Sequence, residues 1–448
     1  MSNPTIERAL AAASETKGFI SGSGCRADVP QIFQQYFPGV TALIVADDNT
    51  FRVAGQDVYE RLQAAKIPTE QPFIFPGTPV LHSEYRHIEA LRERLKPLAN
   101  VIPIAVGSGT INDMVKRTVY ELDRRYMVVA TAASVDGYSS FGAPVVQGGF
   151  KKTMECPAPL VIVADIEILR NAPADMTAAG YADLMSKITA GADWIIADAL
   201  GITPIRPDIW EMIQPPLRGW VTAPEKLAAG DDEAFSMLFE GLSMTGFAMQ
   251  AMRDSRPASG SEHLFSHIWD MQDHRDASGS NVSHGFQVGI GMLGVTALME
   301  TVFRRDIRAL NIDARCQQWP SWEAREAEIR QAFAGMPIVD RVLIESRMKY
   351  LEASDLRARL HLVAGIWDEL GQRVTAQIFP YPILRQKLQV AGCPFAPDQI
   401  RLTREQMKQT CLMAQMIRNR YTILDLAYEL GWLEECANEI ASSSRYFS

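Results

Sequence analysis

The sequence lacks three features that would place it outside the cell or in a membrane. Its six cysteines are scattered and form no CxxC pair, which favours free thiols in a reducing compartment over a disulfide framework. No apolar run approaches the roughly 20 residues that a membrane-spanning helix needs. The first residues carry acids and no basic segment followed by an apolar core, so we expect no secretory signal. These absences predict a cytoplasmic protein without membrane insertion.

An excess of basic residues is also missing. The chain has 44 Lys and Arg against 53 Asp and Glu, which gives a formal net charge of −9. A protein that binds nucleic acid needs a basic face to gain from the release of counterions, so we expect no nucleic-acid partner. With 448 residues, 47% of them hydrophobic and 22% charged, the chain is long enough for two globular domains with cores of their own.

Short apolar runs alternate with helical patterns in the first third of the chain. The strand candidates are 41–46, 72–75, 101–106, 127–130 and 160–163, with helical stretches at 58–66 and 84–98. This alternation is typical of βαβ units and a parallel sheet. Residues 1–165 are therefore predicted to form a Rossmann-like, dinucleotide-binding α/β domain.

The pattern changes after residue 165, because long stretches keep helical spacing without the alternation typical of strands. These stretches are 182–198, 234–253, 286–304 and 404–430. Residues 166–448 are therefore predicted to form an all-α domain. A proline-rich segment at 203–224 interrupts this pattern and predicts a surface excursion.

A glycine-rich segment, GSGTIND at 107–113, directly follows an apolar run and opens a helix-like stretch. At such a turn the backbone amides of a helix N-terminus can bind a pyrophosphate, and glycine lets the ligand come close. The segment lacks the third glycine of the common dinucleotide fingerprint, so a tight turn without a ligand fits the same residues.

A second segment of small and hydroxyl residues, TAASVDG at 131–137, also follows a predicted strand, with Ser139 and Ser140 beyond it. Open parallel sheets bind ligands in the crevice at the carboxyl ends of their strands. The alternative interpretation is a polar loop in which Asp136 makes an Asx-turn or caps a helix.

Histidine is scarce, yet four of the 7 histidines fall within residues 263–284. His263 and His267 are spaced i, i+4, which puts both rings on one helical face, and His284 opens the next helical stretch. Imidazole is a common ligand of divalent metals, and a carboxylate often completes such a site. Asp183 is the candidate acid, although a helix N-terminal dipole partner fits its position as well. For the histidines, a structural surface or capped pair is the alternative.

Taken in order, these segments resemble the sn-glycerol-1-phosphate dehydrogenase family, within the superfamily of iron-containing alcohol dehydrogenases, glycerol dehydrogenase and dehydroquinate synthase. The resemblance covers nearly the whole chain and implies a dehydroquinate synthase-like fold. The matching segments are VADDNTFRVAG at 45–55, GSGTIND at 107–113, TAASVDGYSS at 131–140, APLVIVADIEIL at 158–169, GYADLMSKITAGADW at 180–194, SGSEHLFSH at 259–267, HGFQVGIGM at 284–292 and IRNRYTILDLAYELG at 417–431.

The resemblance also implies the residues of the site. One divalent metal, zinc foremost with nickel or iron as alternatives, would be held by Asp183, His263 and His284. Asp136, Asp183 and His267 would form the catalytic, substrate-binding set. Asp47 matches the position that faces the adenosine ribose of NAD or NADP. The implied dinucleotide contacts are Asp47, Gly107, Ser108, Gly109, Thr110, Ile111, Thr131, Ala132, Ala133, Ser134 and Ser140.

The substrate implied by the resemblance is a small phosphorylated polyol or ketone, interconverted as dihydroxyacetone phosphate and sn-glycerol 1-phosphate in a homo-oligomer. Its phosphate needs a cation, and Lys187, one helical turn after Asp183, is the candidate, although a solvated surface lysine fits as well. Competing interpretations are a glycerol-type polyol dehydrogenase, a lyase of the dehydroquinate synthase type and a binding module without catalysis. HGFQVG, the long 203–224 segment and the inserted stretch 315–335 depart from the family pattern.

Overall fold

A six-stranded parallel sheet forms the framework of the N-terminal part. The computed structural model describes residues 4–148 and 150–447, and within them the sheet has the order β1-β8-β5-β4-β2-β3. A separate antiparallel hairpin consists of β6 and β7. The strands are β1 Gly18–Gly22, β2 Thr41–Asp47, β3 Phe73–Phe75, β4 Val101–Gly107, β5 Met127–Ala130, β6 Ala143–Gln147, β7 Phe150–Met154 and β8 Val161–Asp165.

α-Helices connect these strands and form most of the remaining described chain. In the N-terminal half they are α1 Pro4–Ala12, α2 Val29–Tyr36, α3 Asp48–Thr50, α4 Gln56–Ala64, α5 Tyr85–Leu95, α6 Gly109–Glu121, α7 Ile166–Arg170, α8 Ala174–Ala199, α9 Pro207–Trp220, α10 Pro224–Ala228 and α11 Asp232–Met252. In the C-terminal half they are α12 Ser261–Met271, α13 His284–Phe303, α14 Ile312–Gln317, α15 Trp322–Ala332, α16 Val339–Lys349, α17 Ala353–Gln377, α18 Tyr381–Val390, α19 Arg404–Ala414, α20 Ile423–Leu430 and α21 Leu433–Ser442.

The sheet lies in the interior of the N-terminal part, because its inner strands are covered on both faces. Strands β5 and β8 are buried along their whole length, as expected of parallel strands connected by helices. On one face Ile44, Val106 and Val129 pack in a common core with Phe33 of α2 and Leu62 of α4. The predicted α/β domain with a parallel sheet is therefore confirmed, and the parallel register brings the carboxyl ends of the strands to one edge.

The strand order reverses between β2 and β4. The chain passes from β2 outward to β3 and then returns to β4 on the other side of β2. Val45 of β2 pairs with Ala105 of β4, so Asp47 and Gly107, each two residues further, end at the same level. Such a switch point is where open α/β sheets bind their ligands.

The chain packs into two compact units that divide long helices between them. The first comprises Met1–Leu184 and Glu211–Ser255, and the second comprises Met185–Trp210 and Arg256–Ser448. Residue 165, where we placed the domain boundary, is the last residue of β8, but the first unit extends beyond it. Within that unit Tyr181 of α8 donates a hydrogen bond to the Val221 carbonyl at 2.9 Å. Helix α8 runs on from the first unit into the second.

The structure differs from the predictions at several places. Strand β1 and the β6–β7 hairpin were not predicted from the sequence. The proline-rich segment forms α9 instead of a surface excursion, because Ile209, Ile213 and Leu217 recur every four residues and are buried. The stretch 404–430 is two helices, since a loop separates α19 from α20, whose first turn Thr422 caps.

Helix α13 contradicts the prediction that no apolar run approaches the length of a membrane span. By length and composition this helix, His284–Phe303, could cross a membrane, but 83% of its apolar window is buried inside the protein. Polar residues such as Gln287 and Thr296 interrupt the run in the sequence, yet both are buried. Burial of this extent is typical of a core helix.

Helix α8 approaches the loop after β5 at backbone distance. A Cβ atom on Gly180 would lie only 1.8 Å from the carbonyl oxygen of Ala133. Only glycine therefore permits this contact, which places the start of α8 against the TAAS segment.

We expect Gly180→Ala to lower the free energy of unfolding by about 1–3 kcal/mol, because the backbone on both sides of the contact has to shift. Gly365→Ala is the matched control, since a Cβ atom there meets nothing within 4 Å and alanine is favoured in the interior of α17 by about 0.5–1 kcal/mol. Thermal and urea unfolding of the two variants measure the difference. Equal stability of both variants would contradict the contact.

Candidate functional site

The turn from β4 into α6 has the form of a phosphate-binding site. A Cβ atom on Gly107 would lie 2.5 Å from the Cβ of Ile111, so glycine is needed for the helix to start this close to the strand. Ser108 is the N-cap residue, but its side chain makes no capping hydrogen bond. The first amides of α6 are thus not capped by Ser108, and Gly109 and Thr110 are half-buried at the edge of the sheet.

Lys116 of α6 fixes the segment that follows the TAAS loop. Its side chain is fully buried. The ammonium donates to the carbonyl oxygens of Gly137, Ser140 and Gly142 at 2.8, 3.0 and 3.1 Å. An ammonium group has three protons, and here each of them has an acceptor. This lysine was not among the residues predicted from the sequence, although it lies only three residues after the GSGTIND segment.

The remaining expected dinucleotide contacts lie at the same edge of the sheet. Thr131, Ala132, Ala133 and Ser134 follow β5 directly, and the Thr131 amide donates to the Gly107 carbonyl at 3.1 Å. These four residues are buried. The Ser140 hydroxyl donates to the Gly137 carbonyl at 3.2 Å.

Asp47 ends β2 and caps the short helix α3. Its Oδ1 accepts hydrogen bonds from the amides of Asn49 and Thr50, both at 2.8 Å. The cap holds the carboxylate at the switch point beside Gly107. The structure shows Asp47 as a helix cap, and its contact with the ribose of a dinucleotide stays a prediction.

Three of the predicted site residues come together as a group that can hold a metal ion. Asp183 of α8, His263 of α12 and His284 of α13 each offer one ligand atom, and these atoms lie within 4.8 Å of one another. The two rings are 5.2 Å apart between centroids. Asp183 is fully buried, and its Oδ2 accepts a hydrogen bond from the Asp136 amide at 3.0 Å. One carboxylate and two imidazoles form a donor set that fits zinc, and also nickel or iron.

Glu262 orients the first of these histidines. Its Oε1 lies 2.8 Å from Nδ1 of His263, and its Oε2 accepts from the Thr189 hydroxyl at 2.9 Å. Burial raises the pKa of this fully buried carboxyl, whereas the hydrogen bonds and the Lys187 charge oppose the rise. An ionised Glu262 accepts the proton of Nδ1 and leaves Nε2 of His263 for a metal. Glu262 was not among the residues predicted from the sequence, although it is adjacent to a predicted ligand.

Asp193 fixes the start of α12. Its Oδ2 accepts from both the amide and the hydroxyl of Ser261 at 2.6 Å, and its Oδ1 accepts from the Ile423 amide at 2.7 Å. Burial, and then the nearby Glu262 charge, raise the pKa of Asp193 to about 7. One buried carboxyl therefore holds the first residues of α12 and α20.

Two predicted substrate contacts have different surroundings. Lys187 is fully buried in α8, where its charge acts on Glu262. His267 is half-buried one turn after His263, and its Nε2 lies 3.4 Å from Nη2 of Arg418. The structure thus associates Lys187 with a buried carboxylate, and His267 with a cation that sequence analysis did not consider.

Comparison with known proteins shows which family this chain belongs to. Residues 21–173 match the iron-containing alcohol dehydrogenase family. A glycerol-1-phosphate dehydrogenase [NAD(P)+] from Geobacillus stearothermophilus is 31% identical over 304 residues, which are 67% of this chain and 74% of that protein. The chain belongs to the glycerol-1-phosphate dehydrogenase family. The enzyme of that name from Halalkalibacterium halodurans is 34% identical over 265 residues, 59% of this chain and 66% of that protein.

Solved structures confirm the dehydroquinate synthase-like fold that the resemblance implies. Glycerol dehydrogenase from Schizosaccharomyces pombe has a TM-score of 0.58 at 13% identity and covers 95% of this chain and 92% of its own. Maleylacetate reductase from a Rhizobium strain also has a TM-score of 0.58 at 13% identity, with coverage of 95% and 96%. At this identity the likeness concerns the fold alone.

In this member of the glycerol-1-phosphate dehydrogenase family we expect Glu262→Gln to weaken zinc affinity by roughly 10- to 100-fold, because the amide accepts the His263 proton less strongly than a carboxylate does. Competition with a chromogenic chelator measures the zinc affinity. The exposed Glu369 in the middle of α17 provides the matched control, Glu369→Gln. Unchanged zinc affinity in Glu262→Gln would contradict an orienting role, whatever its effect on thermal stability.

Proposed function

We propose that this chain is a metal-dependent dehydrogenase that interconverts dihydroxyacetone phosphate and sn-glycerol 1-phosphate with NAD or NADP. The observation that carries the proposal is the group of Asp183, His263 and His284, whose ligand atoms lie within 4.8 Å of one another. Family membership supports the same activity, since the relatives bear its name. Three protein ligands leave a coordination position for a substrate oxygen.

The metal ion would supply Lewis acidity at the substrate C2 oxygen, and the nicotinamide of NAD or NADP would accept or donate the hydride. The chain's own residues position the reactants. Backbone amides at Gly109–Ile111 would bind the pyrophosphate at the N-terminus of α6. Asp136 would contact the substrate from the loop whose amide orients Asp183. His267 would hold a proton at the substrate oxygen, since it lies one helical turn from His263.

The finer assignments follow from the same residues. We assign zinc as the metal because the group combines two imidazoles with one carboxylate, and we place nickel and iron after it. NAD is preferred over NADP, because the Asp47 carboxylate accepts from a ribose 2′-hydroxyl and repels a 2′-phosphate. The enzyme is assigned to the cytoplasm as a homo-oligomer without membrane insertion, in keeping with its six free cysteines and the buried α13.

A glycerol-type polyol dehydrogenase is the second candidate, because a metal ion held by Asp183, His263 and His284 would act in the same way on the oxygen of an unphosphorylated polyol. The two functions differ in whether a phosphate is bound. A lyase of the dehydroquinate synthase type differs from both, because it forms no net NADH from its substrate.

We expect dihydroxyacetone phosphate to be reduced with a higher kcat/KM than dihydroxyacetone, because charged hydrogen bonds to the phosphate contribute binding that the free ketone lacks. NADH and NADPH oxidation, followed spectrophotometrically with zinc or nickel present, measures both substrates. An equal or reversed preference would favour the polyol dehydrogenase.

We expect mutation to separate His263 from His267. His263→Ala removes one of three ligands, so metal content and activity should fall together. His267→Ala should keep the metal while kcat falls roughly 10²–10⁴-fold through loss of acid–base assistance. Elemental analysis and turnover rates measure the two effects, with the exposed His361→Ala as control. Metal lost only in His267→Ala would reverse the two assignments.

A further inference from the structure

Arg418 lies on the loop between α19 and α20 and points toward His267. Its Nη2 is 3.4 Å from Nε2 of His267. A guanidinium group can only donate, and it keeps its charge, so Nε2 is the acceptor in this contact. An anion placed beside Arg418 would accept hydrogen bonds from the other N–H groups of the guanidinium.

Hydrogen bonds of neighbouring residues hold the loop that carries Arg418 in place. Arg420 donates to the Ser259 carbonyl at 2.5 Å, and Arg256 donates to the Tyr421 carbonyl at 2.8 Å. The adjacent Asn419 amide donates to the Glu345 carboxylate at 2.9 Å. Arg418 therefore extends from a backbone whose position is set by its neighbours, as a preorganised binding residue requires.

Three of the cations around this loop make their contacts inside the protein. Arg256 and Arg420 are buried and donate to carbonyl oxygens, and Lys187 is buried beside Glu262. Arg418 differs from these three because its side chain is half-buried and can be reached by a ligand. Its planar fork also matches two oxygens of a phosphate, which a lysine cannot do.

We propose that Arg418 binds the phosphate group of the substrate, a refinement that rests on the proposed function. His267 lies one helical turn, a rise of about 5.4 Å, from the metal-ligand candidate His263. In a triose phosphate, three covalent bonds separate C2 from the phosphorus. A substrate whose C2 oxygen is held at Asp183, His263 and His284 can thus extend past His267 to Arg418. The arginine then selects phosphorylated over free polyols.

The experiment compares Arg418→Gln and Arg418→Lys with the metal-loaded wild type. We expect Arg418→Gln to raise the KM for dihydroxyacetone phosphate roughly 10- to 100-fold, the contribution of a hydrogen bond to a charged group. The KM for unphosphorylated dihydroxyacetone should stay within about threefold, and Arg418→Lys should recover part of the loss. Arg308→Gln is the charge-matched control, because the Arg308 side chain is 88% exposed.

Binding of inorganic phosphate, measured by calorimetry, separates this inference from the proposed function. Weaker phosphate binding in Arg418→Gln supports the phosphate site even if the wild type reduces no dihydroxyacetone phosphate, a result that overturns only the proposed function. Unchanged phosphate affinity overturns the inference. So does an equal rise in KM for both ketones, since it would mean that Arg418 acts only through the structure of the site.

Discussion

The burial of charge along α8 is the constraint on which the candidate site depends. Asp183, Lys187 and Asp193 have no exposed surface, and an unpaired buried charge costs on the order of several kcal/mol. Each therefore needs partners from other segments. The Asp136 amide donates a hydrogen bond to Asp183, and the negative charge of Glu262 compensates the positive charge of Lys187. The first residues of α12 and α20 donate hydrogen bonds to Asp193. The contacts of Lys187 and Asp193 fix the position of α12, which carries His263 and His267.

The same arrangement makes the stability of the helices sensitive to protonation. Burial raises the pKa of Asp193 to about 7, so the folded protein binds this proton more tightly than the unfolded chain does. A group of this kind contributes stability that is lost as pH rises from about 4, its unfolded pKa, toward 7. The three donors around Asp193 limit that loss, because they are arranged for an ionised carboxylate.

Much of the fold was predictable because parallel strands and amphipathic helices leave a strong pattern. The runs 41–46 and 127–130 appear as β2 and β5 with nearly the same bounds. Helix α9 was not predicted, because prolines usually interrupt helices and the periodic burial of Ile209 and Ile213 becomes visible only in the packed structure.

The site was predictable where its residues stand in continuous motifs. The resemblance named Asp183, His263 and His284, which the structure brings together, although their roles stay predictions. Lys116 and Arg418 were missed for a physical reason. Arg418 even lies within the matching segment at 417–431. A buried lysine that binds carbonyls and an arginine beside a histidine have the same sequence appearance as solvated surface cations, and only tertiary contacts distinguish them.

The Lys116 contacts have a thermodynamic consequence for the binding of a dinucleotide. Because the ammonium already holds the carbonyls of Gly137, Ser140 and Gly142, the segment is ordered without a ligand. Binding coupled to folding produces a large negative heat-capacity change, since the folding segment buries apolar surface of its own. Here the heat-capacity change should reflect only the surface covered by the dinucleotide itself, so its affinity is not reduced by the entropy of ordering a loop.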